Sequence, residues 1–188
     1  GQYLYGTTDV TRTLSLDVQN NKIKNIFTRV LKGHIAVASF KLNKNSYGDK
    51  IDQSARKFLR DINLDYPHGT GHGVGYFLNV HEGPQAISRG NKVKFKEGMI
   101  TSNEPGYYKK NHFGIRIENL VYVKKIRDKL KFEDLTLVPI DKTLIEKKLL
   151  TSFEKKWLNK YHQKVFNKLK KFMNKFEITQ LKQACSNI

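Results

Sequence analysis

Apolar residues fall at helical spacing in three stretches of the chain and alternate with polar ones in others. From Asn25 to about Ser39, Phe27, Val30, Leu31 and Ala38 share a face that Ile26, Ile35 and Val37 widen, and His34 on that side is read as packing. A second amphipathic helix is expected from Asp49, taken as its N-cap, with Ile51, Ala55, Phe58, Leu59 and Ile62 repeating the pattern. Near the start, Thr7, Thr8, Thr11 and Thr13 with Val10 and Leu14 read as extended backbone that presents Asp9 on a defined face. Met99, Ile100 and Thr101 open a strand that must end at Glu104, before Pro105 and Gly106. In FGIRIENLVYVKK, Ile115 and Ile117 point one way and Arg116 and Glu118 the other. Leu135 to Ile140 is expected to form a last short strand. Beyond it Asp141 is expected to cap a short helix reaching about Leu150, and Thr151 with Glu154 makes a capping-box pattern. Phe153, Trp157, Tyr161, Val165, Leu169, Phe172 and Phe176 then follow at three- and four-residue steps, a wide aromatic stripe that packs on the sheet or on another subunit.

Composition narrows the classes. The chain has 188 residues and 38% hydrophobic content, enough for one core with an appendage, and no apolar run approaches the ~20 residues that span a bilayer. The one cysteine, Cys185, has no partner within the chain, so a reducing compartment, the cytoplasm, is expected. The formal charge of +18 points first to polyanions. However, lysine is spread over almost every segment beside abundant asparagine and isoleucine, and no nucleic-acid-binding motif is present, so no specific nucleic-acid partner is expected. The lysines of the C-terminal stripe read most simply as its solvated face, with a basic amphipathic helix that binds membranes or acidic partners as the alternative.

The densest chemistry lies in YPHGTGHGVGYFLNVHEGP, from Tyr66 to Pro84, where His68, His72 and His81 stand among Gly69, Gly71, Gly73 and Gly75. Imidazole ligates metals and moves protons near neutral pH, and glycine lets backbone approach closely; a glycine-rich turn with surface histidines is the plainer alternative. Asp9, Glu104 and Glu118 complete a candidate set with His72. Each also has a plainer alternative, a threonine-held turn carboxylate for Asp9 and a water-facing edge strand for Arg116 and Glu118. Three carboxylates and one imidazole suit manganese, cobalt or zinc, and so many anionic ligands suggest two ions sharing bridging carboxylates. His68 and His81 are then left to hold substrate or move protons. Other motifs fail on spacing: His81-Glu82 lacks the second zincin histidine, with Gln85 three residues on, and the alternating glycines miss G-x-G-x-x-G.

GQYLYGTTDVTRT, HGTGHGVGYFLNVHEGP, NEPGYY and GIRIENLVYV, in that order and spacing, resemble the catalytic domain of the aminopeptidases P, the Xaa-Pro aminopeptidases of the pita-bread metallopeptidase family. The likeness covers about residues 1–140 and continues through WLNKYH into the C-terminal extension of the long cytosolic eukaryotic form. It implies an α+β pita-bread fold with a curved antiparallel sheet and flanking helices over 1–140, and a helical extension over 141–188. It implies two divalent ions, manganese first with zinc or cobalt as alternatives, held by Asp9, His72, Glu104 and Glu118, of which Asp9 and Glu118 bridge. Glu104 is implied in proton transfer, His81 in steadying the scissile peptide, His68 in lining the proline side of the pocket, and Tyr108 and Arg116 in shaping that subsite. The implied catalytic set is His68, His81 and Glu104.

The sequence departs from this pattern in places. The family's first metal aspartate would fall three residues before Gly1, a further active-site histidine is expected earlier still, and Tyr5 stands where aspartate is usual. A C-terminal fragment of a longer enzyme is therefore expected, whose parent removes the N-terminal residue from peptides with proline second, with a homodimer implied. Such a bond resists ordinary peptidases because proline lacks the amide hydrogen and fixes the backbone. The competing class is a non-catalytic peptide- or protein-binding module on the same fold. Such relatives lose ligands, whereas the four positions present here are intact.

Overall fold

The computed structural model describes residues 1–43, 45–77 and 79–188. A short hairpin, β1 (Gln2–Tyr3) with β2 (Gly6–Thr7), precedes helices α1 (Asn21–Ala38) and α2 (Gly48–Arg60). The histidine stretch contributes β3 (Gly71–His72), paired with β4 (Ala86–Ile87). Then come β5 (Ile100–Asn103), the hairpin β6 (Gly106–Lys109) and β7 (Phe113–Arg116), β8 (Asn119–Ile126) and β9 (Lys129–Asp134). Helices α3 (Ser152–Leu169) and α4 (Lys175–Ala184) end the chain. The pairings are antiparallel: β5, β8 and β9 form a three-stranded sheet, β6 pairs with β7, and single bridges join Gly73 to Thr101 and Thr11 to Glu118. These two bridges set the histidine loop against β5 and the threonine segment against Glu118, just before β8, the strand paired with β5.

The apolar periodicity works as expected. Phe27, Val30, Leu31 and Ile35 of α1 share one core with Ile115 and Ile117, and with Leu158, Tyr161 and Val165 of α3. Ile51, Ala55, Val121, Val123 and Phe132 form a second core between α2 and the sheet. The C-terminal helices thus pack on the same core as the segment bearing Glu118.

Several boundaries differ from the sequence reading. Helix α1 begins four residues earlier than Asn25, because Asn20 caps it by accepting from the Ile23 amide at 3.0 Å. Asp49 lies inside α2, and its carboxylate accepts from the Gly90 amide at 3.0 Å rather than capping its own helix. Leu135 to Ile140 is not a strand: side chains satisfy much of its backbone, Tyr161 meeting Val138 and His162 accepting from the Ile140 amide at 3.0 Å. The last strand is β9, where Leu130 and Phe132 alternate with charged residues. Residues 141–150 form two 3₁₀ turns, and Asp141 caps the first. The capping box of Thr151 and Glu154 is present. The aromatic stripe is broken: α3 stops at Leu169, and Phe153, Phe172 and Phe176 are 60–76% exposed. His34, as expected, is fully buried and packs edge-on against Trp157.

Candidate metal centre and substrate pocket

Asp9 and Glu118 are brought together by the segments that carry them. The Glu118 amide donates to the Thr11 carbonyl at 3.0 Å, and the Thr11 hydroxyl donates to Glu118 Oε2 at 2.6 Å. Thr11 and Asp9 share a face of the extended chain, so the bridge at Thr11 places the Asp9 carboxylate beside that of Glu118. His72 enters from β3. Its amide donates to Ser102 Oγ at 2.9 Å, and Ser102 in turn donates to Glu104 Oε1 at 3.1 Å. The glycines permit this approach. A Cβ on Gly71 would stand 2.0 Å from the Ser102 carbonyl oxygen, and one on Gly73 2.0 Å from that of Glu82.

Ligand atoms of Asp9, His72 and Glu118 lie within 4.8 Å of one another, and His72 Nε2 is 3.3 Å from Glu104 Oε1 and 3.6 Å from Asp9 Oδ2. His72 Nδ1 meets the Gly73 carbonyl at 3.0 Å; donation there leaves the Nε2 lone pair turned toward two carboxylates. Glu118 is 1% exposed, yet among the described residues its Oε1 has no hydrogen-bond partner. Burial pushes Glu104 up to about 7, against the Ser102 hydroxyl and Arg116 and with the help of Asp9. Burial likewise raises Glu118 to about 6, with Glu104 and Asp9 adding repulsion that outlasts the Thr11 hydrogen bond. A bare buried carboxylate oxygen, an imidazole nitrogen facing two carboxylates and three converging carboxylates form an oxygen-rich donor set with one nitrogen, so the residues fit divalent metal.

Of the remaining expected residues, His68, His81 and Arg116 line a cleft of about 330 Å³ together with His72 and Glu104. The His81 ring stands 4.1 Å from that of His72. Opposite, Arg116 Nε donates to the Tyr108 hydroxyl at 2.7 Å, and that hydroxyl lies 2.8 Å from His68 Nε2. With His68 Nδ1 meeting the Gly69 carbonyl at 2.7 Å, a continuous run of hydrogen bonds links Arg116, Tyr108 and His68. The pKa of His68 is lowered first by burial and then by Arg116 and Arg56. Tyr66 and Tyr108 flank the imidazole at 5.0 and 5.4 Å, making an aromatic wall.

Sequence reasoning passed over the residues that hold this set in place. Thr11 and Ser102 steady Glu118 and Glu104, and their signal was a two-residue spacing from the candidate carboxylates. The buried pair Asp52 and Arg56 anchors the histidine loop: Asp52 accepts from the Thr70 hydroxyl at 2.6 Å, and Arg56 donates to the His68 carbonyl. Nothing local to α2 announces that role.

The chain belongs to metallopeptidase family M24. The family model matches residues 1–125, and the model of the C-terminal region of peptidase M24 matches residues 128–188. Curated relatives include the "Probable Xaa-Pro aminopeptidase P" of Laccaria bicolor, 48% identical over 90% of this chain and 28% of the relative. That of Coprinopsis cinerea is 49% identical over 89% of this chain and 29% of the relative. Among solved structures, the X-prolyl aminopeptidase of Caenorhabditis elegans, described as a cytosolic enzyme with a di-nuclear active site, superposes with a TM-score of 0.90 at 40% identity. It covers 97% of this chain and 32% of that one. The prolidase of Pyrococcus furiosus gives a TM-score of 0.64 at 28% identity, over 72% of this chain and 39% of that one. The fold is therefore the α+β pita-bread fold of the family, and the chain spans under a third of the length of the curated relatives named.

Proposed function

We propose that this chain carries metal-binding and substrate-orienting residues of an aminopeptidase that removes the N-terminal residue from peptides with proline in second position. The observation that carries this reading is the buried, unpartnered oxygen of Glu118 within a cluster of Asp9, His72 and Glu118. Asp9, His72, Glu104 and Glu118 would hold two divalent ions, with manganese as the first candidate and zinc or cobalt as alternatives. Bound divalent ions supply Lewis acidity toward a carbonyl and a nucleophile drawn from water near neutral pH.

The protein's own groups do the rest. Glu104, next to His72 Nε2 and held by the Ser102 hydroxyl at the edge of the cleft, is placed to exchange a proton with water beside the ions. His81, beside His72, orients the peptide entering the cleft. The rings of His68 and Tyr108, with the buried Tyr66 packed behind His68, offer flat faces to a proline ring, and Arg116 holds Tyr108 against His68 through the phenol. Residues 1–140 hold every site residue, and 141–188 form a helical extension that braces them. A cytoplasmic location and a homodimer that buries Phe153, Phe172 and Phe176 belong to the same reading; a monomer by light scattering of the complete gene product would overturn the dimer.

The test is manganese-dependent release of the first residue from an Xaa-Pro-Pro peptide by the complete gene product, beside this chain and beside Glu104→Ala. Cleavage by the complete product and none by Glu104→Ala supports the assignment. Absence of both cleavage and manganese uptake in the complete product would turn the site into a peptide- or protein-binding cradle.

A further inference from the structure

Arg12 lies two residues beyond Thr11's neighbour Val10 in sequence, but its guanidinium points away from the cleft into the protein. Nε donates to the carbonyls of Pro139 at 3.1 Å and Val138 at 3.2 Å. Nη1 donates to the Thr11 carbonyl at 2.8 Å and to the Glu118 carbonyl. Nη2 donates to Val138 O and Asn119 Oδ1, both at 2.7 Å, and to the Tyr161 hydroxyl at 2.8 Å. Among the described residues no carboxylate oxygen hydrogen-bonds to it; burial pulls its pKa down, while Tyr161, Asp134 and Glu118 oppose that shift. A buried charge whose hydrogen bonds all go to neutral acceptors is costly, and what those bonds deliver is a fixed geometry.

That geometry is the spacing between two candidate ligands. Thr11, Arg12 and Thr13 grip the run from Arg116 to Asn119 one after another. Thr11 holds both the Glu118 amide and Oε2, Arg12 takes the Glu118 carbonyl, and Thr13 Oγ1 accepts from the Arg116 amide at 3.0 Å. The Asp9 segment therefore cannot slide along the Glu118 segment without breaking the fork. Tyr161 of α3 closes the far side: its hydroxyl donates to Val138 O at 2.9 Å and receives from Asn119 Nδ2 at 3.2 Å. One phenol thus ties the helical extension to the residue next to Glu118.

We propose that Arg12 and Tyr161 are positioning residues that set the distance between Asp9 and Glu118, making the metal centre depend on the C-terminal helices. The claim rests on the metal-centre reading above. Its test uses the complete gene product carrying Tyr161→Phe or Arg12→Lys, with Val165→Ala as the control. Val165 is fully buried in the same helix and its side chain makes no hydrogen bonds. Manganese affinity is measured by calorimetry, and amide exchange at Glu118 is followed in the metal-free protein.

Tyr161→Phe is expected to weaken manganese binding about 10-fold or more, the size seen when partners of ligands are removed, and to speed exchange at Glu118. Val165→Ala is expected to lower the melting temperature while leaving both unchanged. Arg12→Lys keeps the charge but loses the fork, and should match or exceed Tyr161→Phe. Wild-type affinity and wild-type Glu118 protection in Tyr161→Phe, or equal changes in Val165→Ala, would overturn the inference. If the wild-type protein takes up no manganese, the metal reading fails, and the exchange comparison alone decides whether the hub fixes the Glu118 strand.

Discussion

An ionised carboxylate buried as deeply as Glu118, with one oxygen bare, destabilises the metal-free protein, and on the proposed metal-centre reading it would stabilise the loaded one. The sign follows from its raised pKa of about 6: above that value the folded chain holds an anion that would sit more comfortably in water. Glu118→Gln should therefore make the metal-free protein about 1 kcal/mol more stable at pH 8, by urea unfolding without metal. The same substitution should abolish the stabilisation by manganese, which for the wild type is about 2.7 kcal/mol at a hundred times Kd. A loss of stability without metal would mean that Glu118 is held by protein partners and serves structure alone. At this scale the candidate ligands were legible from residue type and spacing. Thr11 and Ser102, which hold two of them, were legible only as neighbours, because a hydroxyl's partner is chosen by the fold.

The elements bring those residues within reach through close backbone contacts. Strand β3 approaches β5 because Gly71 has no side chain; a methyl there would meet the Ser102 carbonyl oxygen at 2.0 Å. Gly71→Ala should push β3 off β5, break the bond from the His72 amide to Ser102 Oγ, and weaken manganese binding at least about tenfold. Calorimetry on a variant shown by circular dichroism to be folded reads this directly, and unchanged affinity would show that His72 does not depend on the contact. At the start of α3, Glu154 both completes the capping box and meets Lys32 Nζ of α1 at 2.7 Å. Thr151→Ala should cost about 1 kcal/mol by thermal unfolding, and Glu154→Ala more, since it also strands Lys32. The box was legible because both partners lie within one turn. The segment from Leu135 to Ile140 misled because its apolar alternation resembles a strand, while its backbone partners, Arg12, Tyr161 and His162, lie far away in sequence. The aromatic stripe misled for a related reason: spacing continues through Phe172 and Phe176, but the helix breaks after Leu169 and turns those rings outward.

For the whole molecule, groups with opposite shifts set the dependence of stability on pH. Burial lowers His34 to about 3, with Arg12 adding, and lowers His162 to about 4, with Lys142 and Arg12 adding. From the unfolded histidine value near 6.5 downward, the unfolded chain binds more protons at these two sites, so they subtract stability as pH falls. Glu104 and Glu118 act the other way: between about 4.5 and 7 the folded chain binds more protons there, so they add stability as pH falls. The metal-free protein should therefore show a nearly level stability from pH 6.5 to 4.5. Below that it should drop, as the histidines act alone and Glu133, held down to about 2 against burial by Lys131 and Lys164, loses its partners on protonation. Replacing both Glu104 and Glu118 by glutamine removes the opposing pair. Stability should then decline from pH 6.5, by about 1.4–2.7 kcal/mol per pH unit for two histidines, in urea titrations at pH 7, 6, 5 and 4. A doubly substituted protein that keeps the level region would show that His34 and His162 do not bear the cost. Saturating manganese should have the same effect on the wild type, because bound metal keeps both carboxylates ionised. The level region is thus the signature of an empty carboxylate cluster, and its conversion to a slope by metal and by substitution alike would connect the site's electrostatics to the stability of the whole fold.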